Sequence, residues 1–197
     1  MKASRGASPK LVDRAKAILF RPGATWKAID GEFTKPAGLY TGYILPLAAV
    51  GPVCGFIGTV IFGARVPFTG GLTTRVSLAT ALTQAIGGYV LALVSVFIVA
   101  QMINLLAPTF GGQKNDVQAL KVAAYSSTAS WVGGVFALIP ALALVGLLMS
   151  LYSLYLLYAG LPVLMKTPDD QAMGYAVVVI VGVIVVFLLT GAILTML

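Results

Sequence analysis

Residues 122–165 read VAAYSSTASWVGGVFALIPALALVGLLMSLYSLYLLYAGLPVLM, a run without one charged side chain. As a single helix it would measure about 66 Å, twice the hydrocarbon thickness of a bilayer. Pro140 cannot continue a helix ladder, because it has no backbone N–H and its ring crowds the preceding turn. The run therefore reads as two helices, near 117–139 and 141–165, joined by a tight turn.

Three more uncharged stretches, 36–64, 76–113 and 171–197, carry the same message. A soluble domain needs charges over its whole surface. A bilayer excludes them, since an ionised side chain at its centre costs at least about 2.5 kcal/mol. Charged residues make up only 10% of the chain and mean hydropathy is +0.97, so little is left for a solvated surface. The stretches 36–64 and 171–197 fit one spanning helix each, and Pro108, Gly111 and Gly112 end the third near residue 107. The expected fold is all-α: a polytopic membrane protein with five transmembrane helices near 38–64, 76–107, 117–139, 141–165 and 171–196. A cytoplasmic arm, residues 1–37, precedes them.

Orientation follows from the cations. Lys2, Arg5, Lys10, Arg14, Lys16, Arg21, Lys27 and Lys35 precede the first span. Five crossings place Lys114, Lys121 and Lys166 on the same side and leave Arg65 and Arg75 opposite. The positive-inside rule then sets the N-terminus in the cytoplasm and Leu197 across the membrane. A single pass over 122–165 would reverse the C-terminus. The net charge of +7 lies beside the bilayer, where each basic residue gains about 1 kcal/mol from anionic headgroups. It does not call for nucleic acid. Cys54 is the lone cysteine and lies inside the first span, so no intrachain disulfide forms. The first long apolar segment is too long, and comes too late, for a cleavable signal peptide.

Ser8-Pro9 reads as a helix start. Beyond it Leu11, Val12, Ala15, Ile18 and Leu19 share one face, and Lys10, Asp13, Arg14 and Lys16 the other. Such a short amphipathic helix suits the headgroup boundary, and it equally suits packing on the protein's own cytoplasmic face. Arg21-Pro22-Gly23 stops it, and a further short helical turn presents Trp26, expected with Tyr40 and Tyr43 at the membrane interface. In the first span Pro46 and Pro52 are kink positions, and Gly51 with Gly55 forms a small-xxx-small packing pair. Asn115 or Asp116 is expected to cap one inner-side helix, and Thr167-Pro168-Asp169-Asp170 to start another.

Chemistry is sparse. Histidine is absent, which removes the commonest general base and transition-metal ligand. All six acids lie outside the apolar runs, and no nucleophile, phosphate-loop or dinucleotide motif occurs. The expectation is a non-enzyme with no cofactor and no metal site. Polar residues at membrane depth are neutral: Gln84, Gln101 and Asn104 on the second span, Tyr125 and Ser126 on the third, Tyr152 and Tyr155 on the fourth. They read either as a polar seam for lipid headgroup, water or solute, or as interhelical hydrogen bonding with interface aromatics.

Three segments carry a family resemblance: Arg21-Pro22-Gly23-Ala24-Thr25-Trp26-Lys27-Ala28-Ile29, Ala123-Ala124-Tyr125-Ser126-Ser127, and Leu151-Tyr152-Ser153-Leu154-Tyr155-Leu156-Leu157-Tyr158-Ala159-Gly160-Leu161 with the polar turn to Gln171-Ala172. Their order resembles the Yip family, membrane proteins named for interacting with Rab-type (Ypt) GTPases. The resemblance implies five spans, a cytoplasmic N-terminus and a far-side C-terminus. A long polar N-terminal region and an Asp-Leu-Tyr-Gly-Pro-type motif, implied for eukaryotic members, do not occur here. The chain is accordingly similar to the bacterial inner-membrane branch, for which Rab recruitment does not carry over.

Two functions fit. The first organises membrane, or recruits partners or lipids, through a basic arm on the anionic inner leaflet. The alternative is a passive channel or transporter for a small solute or ion through the neutral seam. Gly51, Gly55, Gly133 and Gly134 suit a homo-oligomer or internal packing alike.

Overall fold

The computed structural model describes residues 10–65 and 73–194. The expected helix start at Ser8-Pro9, the cations Lys2 and Arg5, and Leu197 lie outside the described residues. Two short helices come first, α1 (Leu11–Phe20) and α2 (Pro22–Asp30). Pro22 occupies the first turn of α2, where a missing N–H is harmless. Four helices among the described residues are long and apolar enough to cross a membrane: Pro36–Phe62, Leu78–Phe110, Ala143–Met165 and Asp169–Leu194.

The first of these is broken where its prolines fall. It comprises α3 (Pro36–Leu39), a π turn (Tyr40–Ile44), α4 (Leu45–Ala48) and α5 (Val50–Phe62). Pro46 cannot donate to the turn behind it, and the widened π turn sits directly before it. Ala49 interrupts next, which moves Pro52 into the first turn of α5. A two-residue antiparallel ladder, β1 (Ala64–Arg65) with β2 (Thr73–Thr74), then leads to α6 (Leu78–Leu106). Ser77 caps α6 by accepting from the Thr80 amide at 3.0 Å. Leu82, Ile86, Val90, Val94 and Phe97 are exposed along one side of α6, while Val96, Val99, Ala100 and Ile103 are buried on the other. That exposed stripe is stable against lipid and would not be against water.

Residues 116–138 take a different form from the other long segments. They run as α7 (Asp116–Ser126), α8 (Thr128–Gly133) and a 3₁₀ stretch (Gly134–Leu138). Asn115 is the cap of α7, accepting from the Val117 and Gln118 amides at 3.1 Å. The break at Ser127 has a local cause. Ser126 and Ser127 both donate to the Ala123 carbonyl, Thr128 to Tyr125 and Ser130 to Ser127. Back-bonding hydroxyls of this kind bend helices. Every residue from Ala119 to Ser126 is buried, so protein rather than lipid surrounds this segment.

Pro140 opens a second 3₁₀ turn (Pro140–Leu142) before α9 (Ala143–Met165). α9 ends at Lys166 in the left-handed region, φ 54°. α10 (Asp169–Leu194) follows. Thr167 does not cap it: its hydroxyl is buried without a hydrogen-bond partner, beside Gly112. The Pro168 carbonyl instead accepts the first helical amides, from Gln171 and Ala172 at 3.0 Å.

Segment 116–138 passes from one end of the bundle to the other. At the charged end Asn115 meets Asn104, and Gln118 meets Asp30. At the opposite end α5 and the 3₁₀ stretch touch backbone to backbone. A Cβ on Gly134 would lie 2.5 Å from Gly51 Cα, and one on Gly58 2.3 Å from the Ala137 carbonyl oxygen. Gly182 is also tight, but its Cβ would meet the Met102 Sδ, part of a flexible side chain. Gly58→Ala is therefore expected to lose about 1–3 kcal/mol in detergent unfolding, and Gly182→Ala clearly less. Equal losses in thermal melts of the two variants would contradict this packing.

Candidate functional site

The charges hidden from the apolar helices gather at one end. α1 turns Arg14 inward, where its side chain is 7% exposed, and its Nη2 donates to both Glu32 carboxylate oxygens, 2.6 Å to Oε2. The guanidinium also lies over the Tyr125 ring, 5.8 Å from its centroid, a cation–π arrangement. Tyr125 meets Tyr43 edge-on at 4.7 Å and Trp26 at 6.3 Å. The Tyr43 and Thr128 hydroxyls are hydrogen-bonded at 2.7 Å.

Lys121 of α7 is buried at 2% exposure and, among the described residues, forms no ion pair, although the charges of Glu32 and Asp30 act on it. Its Nζ donates to the carbonyls of Ile29, at 3.0 Å, and Glu32, at 2.6 Å. These lie at and just beyond the C-terminus of α2, where orphan carbonyls and the negative end of the helix dipole favour a cation. Three further ties hold the same hairpin. Lys166 pairs with Asp30, the Gln118 amide reaches the Asp30 carbonyl at 3.2 Å, and the Tyr152 hydroxyl donates to the Leu19 carbonyl at 2.7 Å. Thr25 bridges α1 and α2 through the carbonyls of Ala17 and Arg21. The two N-terminal helices thus belong to the folded bundle.

A half-open cavity of about 220 Å³ lies beside Arg14, lined also by Glu32, Lys35, Gly38, Gly42 and Tyr43. A second, of about 340 Å³, runs between α9, α10 and α7–α8 past Ser126, Ser127, Ser130, Ser150 and Ser153. Four of those hydroxyls donate to carbonyls of their own helices, and Ser153 accepts from the Ser130 amide at 2.9 Å. Its walls are otherwise apolar.

Several expected residues lie elsewhere than anticipated. Trp26 is no interface anchor: it is fully buried against α9. Gly160 makes the room, since a Cβ there would sit 2.6 Å from Trp26 Cζ2. Tyr43 is likewise buried. On α1, Arg14 and Ile18 face the protein, Leu11 and Leu19 are half-buried, and Lys10, Val12, Lys16 and Arg21 are exposed. The membrane-depth polar residues do not all lie together. Gln84 lines a cavity at the far end with Gly51, Pro52 and Gly55, whereas Asn104 reaches Asp116 and the Asn115 amide at the charged end. Gln101 is half-buried one turn from Asn104; Tyr125 joins the Arg14 cluster, and Ser126 lines the serine-walled cavity. Tyr152 stacks on a half-exposed Tyr155. Sequence reasoning missed the roles of Lys121, Glu32 and Gly160. A signal existed: Gln118, Lys121 and Tyr125 stand at helical spacing on one face of α7.

No group of three or more histidine, cysteine or acidic residues is placed to hold a metal among the described residues. Helices sheathed in exposed aliphatic side chains, with the described charges other than Arg65 and Arg75 collected at one end, define an integral membrane protein. Its family follows from comparison: the Yip1 domain matches residues 16–191, and the chain belongs to that family. It is also similar to the inner membrane protein YohC of Escherichia coli strains K12 and O6:H1, 29% identical over 162 residues, covering 81% of this chain and 82% of YohC. No solved structure matches.

The Arg14–Glu32 pair predicts a double-mutant coupling of about 0.5–3 kcal/mol between Arg14→Gln and Glu32→Gln in detergent unfolding. Glu32 is 37% exposed, so solvent screening favours the lower half of that range. Additive single effects would contradict a working pair.

Proposed function

We propose that this Yip-domain protein is a non-enzymatic organiser of the bacterial inner membrane, holding anionic lipid or a partner at the cytoplasmic leaflet. One observation carries the reading. Lys10, Lys16, Arg21, Lys27 and Lys35 are exposed on helices and a loop that buried contacts fasten to the bundle. A basic surface held in place beside headgroups spends less ordering entropy on binding than a loose tail would.

The reading includes five crossings. Residues 116–138 serve as the fifth, a helix path whose stretch Ala119–Ser126 is sheltered by its neighbours and therefore tolerant of Lys121 and a hydroxyl-rich bend. The charged end is then cytoplasmic. α1 acts as an interfacial element through exposed Val12 and Phe20, with its opposite face used for packing. Separation of Gln84 from Asn104 and Tyr125 speaks against a continuous solute path. Supporting evidence for localisation is the similarity to an inner membrane protein.

Removing residues 1–21, or replacing Lys10 and Lys16 with glutamine, is expected to reduce the phosphatidylglycerol that co-purifies in polymer-extracted membrane discs. About 1 kcal/mol per lysine corresponds to roughly fivefold each. Unchanged lipid content in both variants would refute the reading. Proteoliposomes should show no solute or ion flux above empty vesicles, and a phosphatase reporter at Leu197 should be active only across the membrane from the N-terminus. Flux, or a reporter on the N-terminal side, would count against the organiser and the five crossings respectively.

A further inference from the structure

We infer that the cavity beside Arg14 is a built seat for one anionic phospholipid headgroup, an inference that rests on the inner-leaflet reading above. Arg14 uses only Nη2 on Glu32. Its Nε and Nη1 have no hydrogen-bond partner among the described residues, and neither is sealed off without one. Arg14 itself lines the cavity. Each free N–H can donate to a phosphate oxygen; the two lie on different edges of the guanidinium and act as separate donors.

The local charge is also unbalanced. Arg14 and Lys35 line the cavity against one lining carboxylate, Glu32, and that excess of positive charge favours an added anion. The floor supplies the space: a Cβ on Gly38 or Gly42 would meet nothing within 4 Å. The opening lies at the start of the first long apolar helix, where Gly38 and Gly42 are exposed and a headgroup meets its acyl chains. Phe33, 88% exposed, stands at the same mouth, placed to meet those chains.

Filling the floor tests this without touching the ion pair. Gly42→Leu and Gly38→Leu should fold, since nothing lies within 4 Å of either new Cβ. Native mass spectrometry of the detergent-solubilised full chain should show wild type retaining one phosphatidylglycerol in preference to phosphatidylcholine, by about tenfold or more in apparent affinity. Either leucine variant should lose that preference while its melting temperature stays near wild type. Equal retention of the two lipids by wild type, or undiminished preference in both leucine variants, would overturn the seat. So would displacement of the lipid by inorganic phosphate at equal concentration, which would make the occupant a free anion. Loss of co-purified lipid on removing residues 1–21, with full preference kept by the leucine variants, would sink the cavity alone and leave the basic-surface reading standing.

Discussion

One buried ammonium group is central to how the N-terminal hairpin is held on the bundle. Lys121, enclosed in the middle of the bundle's charged end, donates to the backbone carbonyls of Ile29 and Glu32 and so ties α7 to the end of α2. A buried cation without those acceptors would be costly enough to shift the chain toward another packing. With them satisfied, α2 is fixed in place, Trp26 enters the notch left by Gly160, and Arg14 is delivered to Glu32 and Tyr125. The basic outer face of the hairpin then has a defined position relative to the apolar helices. Proposed lipid contact is a consequence of that geometry.

The same constraint explains why the most polar long segment is the innermost one. Lipid demands apolar side chains and unbroken backbone bonding, and α6 and α10 supply both on their exposed faces. α7 and α8 are relieved of that demand by their neighbours. They can carry Lys121, a line of serine and threonine hydroxyls and a break at Ser127. Close approach compensates at the far end, where Gly51 and Gly134 let two backbones touch.

Much of the fold was legible because charge exclusion is a strong and local signal. The uncharged runs located the four long apolar helices, Pro108 and Gly111 marked the end of α6, and Pro140 the irregular turn before α9. The cap of α7 was legible as Asn115 or Asp116, and Asn115 fills it, its side chain reaching amides two and three residues away. The site was less legible. Trp26 looked like an interfacial anchor because tryptophan often is one; only the absence of a side chain at Gly160, far away in sequence, reverses that. Arg14 counted as one more surface cation for the same reason, its partner being eighteen residues on. The arrangement of the membrane-depth polar residues was not legible, because position along a span was not resolved: Gln84 and Asn104 share a helix yet sit at opposite ends of it.

Hydrogen–deuterium exchange across residues 11–30, compared between wild type and Lys121→Met, tests the tie most directly. In wild type, amides in α1 and α2 should be protected to the same degree as those of α7. In the variant, protection should fall in α1 and α2 while α6, α9 and α10 keep theirs. Wild-type exchange over 11–30 at the rate of an unstructured peptide, or no change in the variant, would contradict it.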